Sequence, residues 1–186
     1  ATPTEFFENC IAPTLQEVGK KFETLDIFLP EMVTAAETVE VVNTEVINPA
    51  VADSLSEVYR PLGKVLLATV QADLHDIGKN MVGLMLKVNG FEVIDLGTNV
   101  SPSEIVARAE FENVDIIGMS ALLTTCLPYM KDVCNYLEGK GIRDKYAVII
   151  GGAATTPKVM EDMGANAYGS SAADGVSKCK LLLNKL

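Results

Sequence analysis

From Lys64 onward the chain alternates short apolar runs with stretches of helical period, and no other feature constrains its fold as tightly. Runs at 64–70, 92–96, 115–119, 147–150 and, more weakly, 165–168 predict strands, while 78–89, 102–112, 126–140, 157–163 and 172–185 predict helices. Strands joined through helices pair in parallel and are covered on both faces, because a parallel neighbour is reached only by a long crossover. Crossovers of the usual right hand then select a flavodoxin-like, Rossmann-type α/β sheet of five strands in the order 2-1-3-4-5, with its switch point between strands 1 and 3.

The preceding residues read differently. Between 4 and 25, Phe6, Phe7, Cys10, Ile11, Leu15, Val18, Phe22 and Leu25 form the stripe of an amphipathic helix, and Pro13 should kink or break it. Asp26 opens a turn, and Pro30 suits the first turn of a second helix carrying Met32, Val33, Ala36, Val39 and Val42 and ending before Pro49. A shorter helix over 50–59 leads into the linker Arg60-Pro61-Leu62-Gly63. The expected organisation is a small helical-bundle cap, 1–60, followed by an α/β domain, 61–186.

A net charge of −10 argues against nucleic acid or an anionic membrane as partner. No apolar run is long enough for a bilayer, and no leader pattern opens the chain, so a cytoplasmic protein is expected. Cys10, Cys126, Cys134 and Cys179 lack the spacing of a zinc site or a disulfide framework and read mostly as small apolar residues.

The single histidine, His75, falls in the turn after strand 1, at the sheet edge where such folds bind ligands, with Asp73 and Asp76 on either side. Known occupants of that crevice can be sorted by chemistry. The turn has only Gly78 and no G-x-G-x-x-G; Gly78-Lys79 is followed by Asn80 rather than the Ser or Thr of a phosphate loop. A phosphoacceptor domain would need an aspartate after strand 3, where Ser120 stands. A histidine beside a carboxylate can ligate a metal through one ring nitrogen while the other is held by the acid, and Asp73 is the better placed acceptor. A protein-built metal site needs about three or four ligands. A metal inside a macrocycle needs one, which leads from a lone histidine to a tetrapyrrole.

Asp73-x-His75-x-x-Gly78, Ser120-x-Leu122 and Gly151-Gly152, each at a predicted strand end, together resemble the three-part signature of cobalamin-binding domains. Phe22 to Pro30 resembles the helical cap of methyltransferase-associated corrinoid proteins, such as those of methanol, methylamine and O-demethylase systems and the module of cobalamin-dependent methionine synthase. The resemblance implies cobalamin, as methylcobalamin or another corrinoid, bound base-off with His75 as lower ligand of cobalt. It further implies cofactor contacts from Ala72, Asp73, Leu74, Asp76, Ile77 and Gly78, from Ser120, Leu122 and Thr124, and from Gly151, Gly152, Tyr168 and Ala172. Gly118, Ala153, Ala154 and Ala173 would add small residues along a slot for the displaced tail. Above the corrin, Phe22 and Leu29 match positions that cover the methyl group and Glu8 matches a cap carboxylate; helical period alone would make Phe22 and Leu29 core residues.

The family's bundle has four helices, so a first helix is expected to be missing here, and a hydroxyl that completes the Asp-His pair is expected where Cys126 stands. The implied function, in one-carbon metabolism, is a methyl carrier without catalysis of its own. It would serve a substrate-specific methyltransferase, an acceptor methyltransferase acting on a thiol or tetrahydrofolate, and a reductive activation protein. The alternative is a sensory or regulatory cobalamin-binding domain.

Overall fold

The computed structural model of the chain describes residues 6–47 and 61–184. The helix expected over 50–59 lies outside the described residues, as does Arg60 of the expected linker. Two compact units emerge: one runs to Leu62 and takes in Leu84–Phe91, and the other comprises Gly63–Gly83 and Glu92–Leu186.

In the second unit five parallel strands, β1 (Lys64–Thr69), β2 (Glu92–Asp95), β3 (Ile116–Ser120), β4 (Ala147–Gly151) and β5 (Ala167–Gly169), lie in the order β2-β1-β3-β4-β5 expected from the sequence. The register aligns Thr69 with Ser120 and Ser120 with Gly151, so three small residues share the carboxyl edge beside the switch point. Strand β5 begins two positions later than the expected 165. Asn166 explains the shift, because its side-chain Oδ1 accepts from the Val148 N–H at 2.8 Å and from Arg143 Nη2 at 2.7 Å.

Helices α3 (Ile77–Val88), α4 (Pro102–Glu112), α5 (Leu127–Gly139), α6 (Pro157–Met163) and α7 (Ala172–Leu183) form the crossovers and the chain's close. Their starts are marked by Ser101, Thr156 and Ser171, whose hydroxyls accept from the amides of Glu104, Val159 and Asp174 at 3.3, 3.2 and 3.2 Å. Alternate strand residues point to opposite faces. Leu66, Ala68 and Val70, with Ile117, Met119, Val148 and Ile150, join Ile105 and Ala109 of α4 and Met130, Val133 and Leu137 of α5 in one buried core. The intervening residues face the other way and are smaller toward the carboxyl edge. There Gly118 is overlaid by Leu67, whose Cδ2 would lie 2.6 Å from any Cβ at that position.

In the helical unit a π-helical turn, Phe7–Ile11, passes into α1 (Ala12–Glu23), followed by α2 (Leu29–Val42) and a second π-helical turn, Asn43–Ile47. The break expected at Pro13 takes this form: proline has no N–H to donate backward, the wider turn absorbs the mismatch, and Thr14 Oγ1 donates to the Cys10 carbonyl at 2.7 Å. Pro30 occupies the first turn of α2, and the Glu31 carboxylate accepts from the Phe28 N–H at 2.8 Å, so this start is capped from inside the helix. Among the described residues of these helices, Ile11, Leu15 and Met32 are buried. Among the described residues no helix is long and apolar enough to cross a membrane. Cys126, Cys134 and Cys179 are buried and Cys10 is exposed; burial pushes the Cys179 thiol up to about 12.

Candidate functional site

The loop from Val70 to Asp76 joins β1 to α3. Asp73 is fully buried and organises it. One carboxylate oxygen, Oδ1, accepts from the His75 N–H at 2.9 Å and lies 2.7 Å from His75 Nδ1. The other, Oδ2, accepts from the amides of Leu122 at 2.6 Å and Leu123 at 3.4 Å. A single side chain therefore fastens the loop after β1 to the loop after β3. Burial raises the Asp73 pKa, but the bonds from His75 N–H, the Leu122 N–H, the His75 ring and the Leu123 N–H outweigh it and leave the carboxyl below its ordinary value of 3.8. An ionised carboxylate accepts only, so Nδ1 carries the proton and, in the neutral ring, the lone pair sits on Nε2. The His75 side chain is 54% exposed. Its second nitrogen has no hydrogen-bond partner among the described residues.

Around it stand apolar side chains left in the open: Leu74 at 72%, Ile77 at 82%, and Leu122 and Leu123 beyond Asp73. Gly78, next on the chain, has nothing within 4 Å of where a Cβ would be. On the same sheet edge Ser120 and Gly151 are half-buried, and a Cβ at Gly151 would meet only the Gly169 carbonyl oxygen, at 3.5 Å. Gly152 differs: its φ of +104° and the Ala121 carbonyl oxygen, 2.3 Å from a Cβ there, leave glycine as the fitting residue. Tyr168 on β5 and Ala172 at the start of α7 are half-buried, as are Ala154 and Ala173, and Ala72, Thr124 and Ala153 are exposed. Phe22 is half-buried on α1; Leu29 opens α2 at 43% exposure and is not a core residue. The Glu8 side chain lies outside the described residues.

Several expectations need correction. Asp76 is not a partner of the His75 ring; its carboxylate accepts from Asn80 Nδ2 at 3.1 Å and its carbonyl from the Asn80 N–H at 2.8 Å, so it starts α3. Cys126 supplies no third group to the Asp-His pair. Its buried thiol is 3.9 Å from Thr125 Oγ1, and the second oxygen of Asp73 accepts from two loop amides instead. Thr124 and Thr125 form a 3-10 turn without capping a helix by their side chains, whereas Thr156 caps α6 and the buried Thr155 hydroxyl donates to the Gly152 carbonyl at 2.7 Å. Lys79, in the first turn of α3, is held by side chains rather than by solvent. It is 4% exposed, with Nζ 2.6 and 2.5 Å from the two Asp95 oxygens and 2.8 Å from Asn80 Oδ1. Thr69 and Asn99, which sequence reasoning did not reach, bond the backbone of the histidine loop; nothing in an isolated Asn after a strand marks that role.

The buried carboxylate carries a direct prediction. Three backbone N–H groups converge on Asp73, and an amide offers one accepting oxygen, so Asp73→Asn turns an NH2 toward at least one donor. The expected loss is about 3 kcal/mol of unfolding free energy. A denaturant midpoint within error of the wild type would show that the carboxylate is not what joins the two loops.

Profiles of two families, each described as a B12 binding domain, match residues 63–176 and 1–42. A corrinoid protein of Desulfitobacterium hafniense (strain Y51) is 36% identical over 92% of this chain and 79% of its own length. A trimethylamine corrinoid protein of Methanosarcina acetivorans is 38% identical over 97% of this chain and 83% of its own. Among solved structures, the methanol:cobalamin methyltransferase complex from Methanosarcina barkeri superposes with a TM-score of 0.84 at 27% identity, covering 99% of this chain and 69% of that one. A cobalamin-binding protein from Desulfitobacterium hafniense DCB-2 gives 0.70 at 34% identity, over 92% and 78%. With its sheet order, its two histidine-site loops and these likenesses taken together, the chain belongs to the corrinoid proteins built on the B12 binding domain.

Proposed function

We propose that this chain is a cytoplasmic methyl carrier: it holds a corrinoid base-off on His75 and passes a methyl group from a donor methyltransferase to an acceptor methyltransferase working on a thiol or tetrahydrofolate. The observation that carries the reading is the state of His75, whose Nδ1 is committed to a buried, ionised Asp73 while the half-exposed ring, beside exposed Leu74 and Ile77 in sequence, keeps Nε2 without a partner among the described residues. A neutral imidazole with one nitrogen so fixed could hold a metal through the other. The fit extends to shape, because a planar apolar macrocycle would cover Leu74 and Ile77, and the open space at Gly78 and Gly151 admits a ligand where side chains would fill it.

When bound, the corrinoid would supply the methyl-transfer chemistry at its cobalt. The chain's own part is to bind, orient and exclude water. Asp73 holds the ring in one tautomer and one direction. Ser120 and Thr124 offer hydroxyls, and Gly151, Gly152, Tyr168 and Ala172 line the sheet edge for the displaced tail. By resemblance to the family, Phe22 and Leu29 are the positions that cover the methyl group and Glu8 is a cap carboxylate near the corrin. Relatives named for dimethylamine and trimethylamine, and a structural neighbour from a methanol:cobalamin methyltransferase complex, support a small methylated compound as donor, selected by the partner enzyme. A reductive activation protein would return oxidised cofactor to the working cycle.

The test is reconstitution of the full chain with cobalamin, chemical reduction and addition of methyl iodide. The expected result is a methylated spectrum that decays when an acceptor methyltransferase and a thiol are supplied. Refusal of the methyl group, with retention of adenosylcobalamin and a light-dependent change in oligomeric state, would replace the carrier by a sensory domain.

A further inference from the structure

We propose that Asn99, in the loop after β2, is a positioning residue that sets the conformation of the histidine loop and through it the presentation of His75. The loop turns sharply, with the Asp73 N–H donating to the Val70 carbonyl at 3.2 Å. To make that turn Ala72 adopts φ +67°, a left-handed conformation unfavourable for a residue with a Cβ. Such a residue persists only where its surroundings over-determine it.

Asn99 supplies that determination from both sides. Its Oδ1 accepts from the Ala72 N–H at 2.8 Å, and its own N–H donates to the Asp73 carbonyl at 2.9 Å. Asn99 is itself left-handed, at φ +56°, where asparagine is tolerated better than most residues. It is anchored in turn by the sheet: the Val100 N–H donates to the Thr69 carbonyl at 3.1 Å and the Thr69 N–H to the Gly97 carbonyl at 2.9 Å. From the far side of the loop the buried Thr69 hydroxyl donates to the His75 carbonyl at 3.1 Å. The Lys79–Asp95 pair ties the first turn of α3 to the end of β2. The edge of β2 therefore braces the histidine loop before and after His75, independently of the carboxylate bridge to β3.

Asn99→Gly keeps the left-handed backbone and its N–H and removes only the Oδ1 acceptor; Asn99→Asp keeps the acceptor. In the apoprotein, amide hydrogen exchange at Ala72 should quicken about tenfold in Asn99→Gly, the loss of one hydrogen bond, and stay protected in Asn99→Asp. In the full chain loaded with cobalamin, Asn99→Gly should lose most of the histidine-ligated absorption signature and Asn99→Asp should keep it. Adding Ala72→Gly to Asn99→Gly should restore it, because glycine holds a left-handed φ unaided. Unchanged exchange at Ala72, or an unchanged signature where the wild type shows one, overturns the assignment. The spectral arm rests on His75 being the lower ligand: a wild type without the signature would end that reading, while the exchange arm would still decide for or against Asn99. If Asn99→Gly fails to fold, the double variant and Asn99→Asp make the same comparison.

Discussion

His75→Ala should give a folded apoprotein that, loaded with cobalamin, shows no histidine-ligated spectrum and retains the cofactor at least 10- to 100-fold less well, the range lost when a metal ligand is deprived even of its supporting partner. Folding and ligation separate cleanly here because the imidazole is largely exposed, while the three backbone donors to Asp73 remain in place after the substitution. The expected cost in stability is about 1 kcal/mol, that of one lost hydrogen bond. Added imidazole should restore the ligated spectrum, since the lost group is a single soluble heterocycle. A variant whose spectrum and retention match the wild type would remove His75 from the cobalt, and with it the observation on which the carrier reading stands.

Gly152→Ala should weaken the fold about as much as the loss of the Asp73 carboxylate. A Cβ there would meet the Ala121 carbonyl oxygen at 2.3 Å and its carbonyl carbon at 2.9 Å, both backbone atoms, and alanine would also have to adopt φ +104°. Clash and strain together predict a loss on the order of 3 kcal/mol, read as a lowered denaturant midpoint. The neighbouring Gly151→Ala is the matched control. Its Cβ would touch only the Gly169 oxygen at 3.5 Å, an ordinary contact, so stability should change by less than about 0.5 kcal/mol. If the sheet edge receives the cofactor's tail, Gly151→Ala should nevertheless weaken cobalamin retention. Equal stability losses at the two positions would show that the glycine pair serves the turn alone.

Much of the fold was legible because it depends on local periodicity and on handedness. Five apolar runs separated by helical stretches leave few ways to connect a parallel sheet, and the order β2-β1-β3-β4-β5 follows from right-handed crossovers. One helix start was readable for a similar reason: Pro30 bears its signal on the chain itself. The candidate site was legible in its position, since a lone histidine after the first strand falls at the switch point whatever its neighbours do. Its partners were not. Asp76 is next to His75 in sequence and Asp73 is two residues away, yet the nearer one begins a helix and the other is buried under the next loop. Lys79 sits in a helix's first turn, where lysine is ordinarily solvated, and only the end of β2 provides the carboxylate that permits its burial.

By itself the sequence determined the class of sheet, the place of the single histidine at its carboxyl edge, and the three strand-end motifs by which the family is known. The tertiary structure decided what that histidine can do. It set the ring's tautomer through a carboxylate held by amides 49 and 50 residues further along the chain, and brought Asn99 onto the histidine loop from the loop after β2, which bears none of the motifs. The physical reason is that periodicity is a property of neighbours along the chain, whereas hydrogen-bond partners in a buried loop are chosen by the packing of distant segments.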